Sequence, residues 1–285
     1  MRYGINIPNF GSGGEPRVLV DLAQRAEAAG WDGFFVWDHV LVDPTWRAEI
    51  ADPWVALAAI AQATSRIRLG PMVAAVPRQR PWMLARATTS LDRLSGGRLV
   101  LGVGLGWPSG AEFGHFGDET DVRRRAEMLD EALAVLDGLW GGEPFAFAGR
   151  HYRVEEATFL PRPLQQPRIP VWVGSLRPGP EAPLRRAARW DGFYPASDDA
   201  FVPLEVFARD AARVRELRAA AGIAPSAPYD ISAGGSTPAD DPTTAGATVA
   251  GFEAAGATWW QEIVSDWLGG LDAIRARIAA GPPSA

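Results

Sequence analysis

An acid and an imidazole stand side by side at Asp38 and His39, directly after the apolar run Phe34-Phe35-Val36-Trp37. Charge placed against a buried strand is costly unless it is paired or used. An imidazole titrates near neutrality and suits proton transfer at a reacting carbon, and a neighbouring carboxylate can orient it or touch a ligand. Taken alone, the pair also fits an Asp that caps the next turn and a His satisfied at a rim. Strand parity puts Phe34, Val36 and Asp38 on one face and Phe35, Trp37 and His39 on the other. The large Phe35 and Trp37 suit an outer, helix-facing layer, which would aim Asp38 inward.

Gly102, Gly104 and Gly106 fall on one face of a second apolar run, VLGVGLGW. Glycines weaken a strand unless something approaches closely, such as a planar ring, or unless small residues accommodate large neighbours. The pattern is no dinucleotide fingerprint, since Trp107 stands where a third glycine is needed. Val173-Gly174-Ser175 followed by Arg177 offers backbone N–H groups and a cation for a phosphate. Arg78 and Arg80 either add positive charge for an acidic ligand or are solvated.

Other chemistries are excluded by what is missing. The 285 residues contain no Cys and no Lys, so thiolate, Fe–S, Schiff-base and P-loop lysine chemistry are closed. The three histidines, 39, 115 and 151, form no HxH or HExxH pattern, and no metal site is expected. No G-x-S-x-G elbow supports a hydrolase. A net charge of −6 without a basic patch argues against nucleic acid. The N-terminus lacks a basic segment followed by a long apolar run, and no apolar run is long enough to span a bilayer. A cytoplasmic protein without a membrane partner is therefore expected.

The elements that must position these residues alternate in period. Strand-like runs at 2–8, 32–38, 66–76, 98–106, 171–175, 191–197, 229–236 and 257–265 are each followed by a helical pattern. Asp52 and Pro53 supply an N-cap and a first-turn proline. Eight βα units imply a parallel sheet, and this length suits a single (β/α)8 TIM barrel over residues 1–285. A doubly wound open sheet is the alternative. One interruption, about 141–170, reads as a hairpin turning at Gly149 plus a Pro-rich return, inserted between helix 4 and strand 5. In a barrel the active site lies at the C-terminal strand ends, where Asp38, His39 and the glycine-rich segments fall.

Several long segments carry a resemblance. GWDGFFVWDHV, DPWVALAAIAQATSRIRLGPMV, ATTSLDRLSGGRLVLGVGLGW and the stretch from RRRAEMLDEALAVLDGLW to IPVWVGS resemble luciferase-like flavin and F420-dependent oxidoreductases. RRAARWDGFYPA continues the match to about residue 197. The resemblance implies a barrel that binds F420, or alternatively FMN, at its mouth, and a homodimer, for which Trp54, Leu57 and Ile60 could supply a face. Asp38 is implied to lie near the cofactor and His39 to serve as acid/base in hydride transfer to or from a small organic substrate. Met72, Val73, Ala75, Gly104, Gly106, Trp107, Gly174 and Ser175 are implied cofactor contacts. A cis Met72–Val73 bond is also implied. Sugar-phosphate dehydrogenases of this group carry a Glu where Trp107 stands, so their proton donor is expected to be missing. Two alternatives stay open: an FMN-dependent monooxygenase using reduced flavin and O2, and a non-catalytic flavin-binding barrel.

Overall fold

Alternation of strand and helix carries through the computed structural model, which describes residues 1–197 and 201–283. The elements in order are β1 (Arg2–Ile7), α1 (Pro16–Ala28), β2 (Gly33–Val36), α2 (Pro53–Ala63), β3 (Arg68–Pro71), β4 (Ala74–Ala75), α3 (Pro81–Leu94), β5 (Leu101–Gly104), α4 (Ser109–Glu112) and α5 (Val122–Trp140). They continue with β6 (Phe145–Ala148), β7 (Arg153–Ala157), β8 (Val171–Leu176), α6 (Ala182–Ala187), β9 (Gly192–Ala196), α7 (Leu204–Ala220), β10 (Asp230–Gly235), α8 (Pro242–Ala254), β11 (Trp259–Ile263) and α9 (Leu271–Ala279).

Nine strands form one sheet in the order β3-β2-β1-β11-β10-β9-β8-β5-β4. Every paired neighbour in it is parallel. A parallel bridge between Leu69 and Leu99 joins β3 to the chain leading into β5 and closes the ring. β3 and β4 are two halves of one barrel strand, parted at Met72–Val73, where the peptide bond is cis. The architecture is a (β/α)8 barrel. Short N-terminal caps begin several helices; Asp52 accepts from Val55 N–H and Pro53 opens α2.

Between α5 and β8 lies the antiparallel hairpin β6–β7. Its turn is tied to α5 because Glu131 accepts the N–H groups of Arg150, His151 and Tyr152. The return after it is held by α3, where Asp92 accepts from Leu164 N–H, Gln165 N–H and the Gln165 amide.

Two apolar layers fill the molecule. Phe34, Val36, Leu101 and Val103 pack outward against the helices. Phe35, Met72, Val100, Trp172, Tyr194 and Trp259 fill the barrel interior. This reverses the expected parity of the second strand: Phe35 faces inward, and Trp37 joins the interior by donating to Asn6 Oδ1 at 2.6 Å. The cause is space. A Cβ at Gly33, on the same inward face, would sit 2.6 Å from the Phe35 ring, so the bare glycine lets the ring lie across the barrel floor. Phe35, Trp172 and Trp259 then meet with centroids 5.3–5.9 Å apart, as aromatic pairs prefer. On α2, Leu57 and Ile60 are fully buried in the outer core, so the proposed dimer face is not available in that form.

Candidate active site at the barrel mouth

A cavity of about 810 Å³ opens at the C-terminal ends of the strands. The ten residues expected as acid/base or cofactor contacts line it: Asp38, His39, Met72, Val73, Ala75, Gly104, Gly106, Trp107, Gly174 and Ser175. A volume of this order suits a ligand of cofactor size.

β2 ends at Val36, so Asp38 and His39 lie just past the strand and their directions are not set by alternation. Asp38 is buried. Its carboxylate accepts from Ala75 N–H at 2.9 Å and from Arg78 at 2.8 Å. Arg78 also donates to the Asp38 carbonyl at 2.8 Å. Burial pushes the Asp38 carboxyl above the usual range, and Arg78 and the Ala75 N–H pull against that.

Asp38 does not orient His39. That task falls to Glu112, a residue the sequence reading did not single out. His39 Nδ1 lies 2.8 Å from Glu112 Oε1. Glu112 further accepts from Val40 N–H at 3.1 Å, Leu41 N–H at 3.2 Å and the Arg78 guanidinium. Burial works against the Glu112 charge, but the His39 and Val40 bonds and the nearby His39 and Arg78 outweigh it and hold the carboxyl below the usual range. With Nδ1 engaged, Nε2 is the imidazole nitrogen left to the cavity, since it has no protein partner among the described residues. A carboxylate is thus present beside the imidazole, although Trp107 occupies the position where one was expected to be missing.

Arg78 is not a free cation at the mouth. It bridges Asp38 and Glu112, while Arg80 is exposed, precedes α3 without a side-chain cap bond and does not line the cavity. Arg177 is also spoken for: its guanidinium meets Asp210 at 2.5 and 3.0 Å, outside the cavity. The expected phosphate grip from Arg177 is therefore withdrawn.

The segment carrying Glu112 is held from α5. Buried Arg125 donates to the carbonyls of Leu105 at 2.9 Å and Gly106 at 3.0 Å and to the Ser109 hydroxyl. Its guanidinium lies 4.3 Å from the Phe113 ring. Gly106 turns the chain with φ +81°, and a Cβ there would strike Phe113 at 2.6 Å.

The glycine wall has a definite occupant. A Cβ at Gly104 would lie 2.7 Å from Val73 Cγ2, and one at Gly174 would lie 2.8 Å from Val73 Cγ1. The glycines thus leave room for Val73 to stand into the mouth. Met72, Val73, Gly104, Leu105 and Gly174 make an apolar bed with the Asp38–Arg78–Glu112–His39 group beside it. Such a bed with polar groups at its edge fits a planar ring. Trp107, Phe201 and Trp267 stand half exposed at the rim. Tyr194 was also missed; in GFYPA it shares the inward parity of Gly192, which would have marked it.

Over 215 residues the chain is 32% identical to an F420-dependent glucose-6-phosphate dehydrogenase of Nakamurella multipartita, covering 70% of this chain and 56% of that protein. The chain thus matches little more than half the length of that relative. An F420-dependent secondary alcohol dehydrogenase, solved with an F420–acetone adduct, superposes with TM-score 0.78 at 18% identity over 98% of both chains. The oxygenating constituent of 3,6-diketocamphane monooxygenase from Pseudomonas putida, solved with FMN, gives TM-score 0.71 at 20% identity over 100% of this chain and 99% of that one. At these identities the two structures speak to the fold. The family model for luciferase-like monooxygenases matches residues 1–276, and the chain belongs to that family.

Proposed function

We propose that this protein is an F420-dependent oxidoreductase that transfers a hydride between a small organic substrate and the deazaflavin. The observation that carries the reading is the His39–Glu112 pair, which leaves His39 Nε2 facing a cofactor-sized cavity. The F420-dependent relative at 32% identity favours the deazaflavin over FMN. FMN with O2 is the second reading, supported by the fold shared with an FMN enzyme.

Met72, Val73, Gly104 and Gly174 would bed the ring, with Asp38, Ala75, Gly106, Trp107 and Ser175 as the further residues that would hold it. The bound cofactor supplies hydride chemistry; the protein supplies position and proton transfer. His39 Nε2 takes the proton from a substrate hydroxyl, or returns it in the reverse direction, as charge develops there. Glu112 fixes the ring and favours the imidazolium that forms. Arg78 keeps the two carboxylates from repelling each other. The rim aromatics Trp107, Phe201 and Trp267 would border a bound ligand. A homodimer is carried in this reading on family grounds.

The deciding experiment titrates purified protein into F420 and, separately, FMN, and follows ligand fluorescence. Saturable quenching of F420 is expected. Tight FMN binding without F420 binding shifts the reading to the monooxygenase. Under saturating cofactor, His39→Ala is expected to lower turnover by about 10²–10⁴-fold; unchanged turnover removes His39 from the mechanism.

A further inference from the structure

A chain of side-chain hydrogen bonds crosses the barrel just below the cavity, and its polarity can be read without ambiguity. The Trp37 indole is a donor only. It donates to Asn6 Oδ1 at 2.6 Å, which fixes the orientation of that amide. The Asn6 NH2 group must then face the other way, and it spends its two hydrogens on Tyr194 Oη at 3.0 Å and Gln261 Oε1 at 2.6 Å. Gln261 passes the same polarity on to Ser232 at 3.0 Å. Asn6, Ser232 and Gln261 are fully buried, so each bond is set by packing as well as by chemistry.

One consequence falls on Tyr194. Its oxygen is committed as an acceptor to Asn6, and its own hydrogen has no acceptor among the described residues. Tyr194 lines the cavity, and its hydroxyl lies beside Gly234, another lining residue, where an added Cβ would sit 3.4 Å away. The ring is buried, and burial drives the phenol well above its ordinary range, so the group stays an O–H donor. Tyr194 is also the cross-strand partner of Gly174, whose bare face accommodates Val73. A planar ring lying on Val73 therefore presents an edge toward Tyr194.

We propose that Tyr194 is a cofactor-recognition residue whose hydroxyl donates to a carbonyl oxygen on the inward edge of the bound ring, with its polarity fixed by Trp37 through Asn6. The inference rests on the cofactor reading above and goes beyond it, since it adds a residue and an orientation. An acceptor edge is welcomed at this end of the cavity. A ligand presenting an N–H there meets a second donor and is rejected.

The test measures binding rather than turnover. Tyr194→Phe removes the hydroxyl and keeps the ring. With oxidised F420 as probe, the variant is expected to bind about tenfold more weakly, as for loss of one buried hydrogen bond. Its melting temperature without ligand should fall modestly, because the buried Asn6 NH2 loses an acceptor, and the two affinities are compared at a temperature where both proteins are folded. Asn6→Asp provides a second arm. It keeps the Trp37 bond but replaces the two donors by an acceptor, so Tyr194 turns its hydrogen to residue 6. It is expected to weaken F420 binding to a similar degree, and the double variant should be no weaker than either single one. Wild-type affinity in Tyr194→Phe overturns the proposal, as does an unchanged F420 affinity with a raised substrate KM. Wild-type protein that binds neither F420 nor FMN overturns the cofactor reading and this inference together. Wild-type protein that binds F420 while Tyr194→Phe binds equally well overturns this inference alone.

Discussion

Replacing Glu112 by Gln keeps its volume and removes its charge, and so isolates what the carboxylate does for His39. One of two acceptor oxygens is lost, and the new amide N–H faces donors from Val40, Leu41 or Arg78. Turnover is expected to fall by about 10²-fold, with F420 affinity within a factor of two of wild type. A pH dependence follows from the same group. The folded protein holds Glu112 below its ordinary value, so the unfolded chain binds that proton more readily. The stabilisation is fully present above the unfolded value of about 4.3 and is lost as pH falls through the lower folded value. Urea midpoints measured across that acid range should fall less steeply for Glu112→Gln than for wild type. Asp38 and His39 were legible as a pair because two polar residues end an apolar run. Glu112 was not, because it sits on one turn of helix, distant in sequence, and nothing local shows that AEF folds over the mouth.

At the scale of elements, the divided third strand and the glycines that face it form one device. Gly104 gives up a side chain so that Val73 can occupy the mouth. Gly104→Ala is expected to cost about 1–3 kcal/mol by overpacking. Val73→Ala in the same chain removes the colliding methyls and should restore most of that loss, as read by chemical denaturation. Simple additivity of the two changes would show that they do not share this contact. Helices were readable because caps and periodicity are local signals; Asp52 does cap α2. Strand facing differs from the expectation for Phe35 and Trp37, because bulk alone does not mark the helix side of a barrel strand. The neighbouring small residues Gly33 and Gly192 held the better signal, since only a bare inner face admits rings of that size.

Across the whole molecule the last helix is pinned to the last strands of the barrel. Arg277 on α9 reaches Glu262 on β11 at 3.1 Å and Thr237 after β10 at 2.9 Å. Glu262, fully buried, also accepts from Thr237 and from the Trp260 indole. Arg277→Met leaves that charge without its cation and is expected to destabilise the protein by about 3–5 kcal/mol in urea unfolding. Adding Glu262→Gln should recover part of the loss, because the uncompensated charge disappears while an acceptor oxygen stays for Thr237 and Trp260. Eight alternating units made the barrel legible, since alternation and length are properties of the entire chain. The docking of α9 was not, because Glu262 and Arg277 show no sequence pattern that pairs them.

The bond from Ala75 N–H to Asp38 makes one backbone amide of the barrel wall depend on a side chain at the mouth. Elsewhere in the barrel most strand amides are latched by a neighbouring strand and exchange with solvent only when that part of the wall opens. Ala75 is latched by a carboxylate that Arg78 also holds. Its deuterium uptake therefore reports the condition of the mouth: Asp38→Ala should speed uptake at Ala75 while leaving the amides of β1 and β11 slow. Followed residue by residue in NMR, that single signal would act as a gauge of site assembly that needs neither substrate nor turnover.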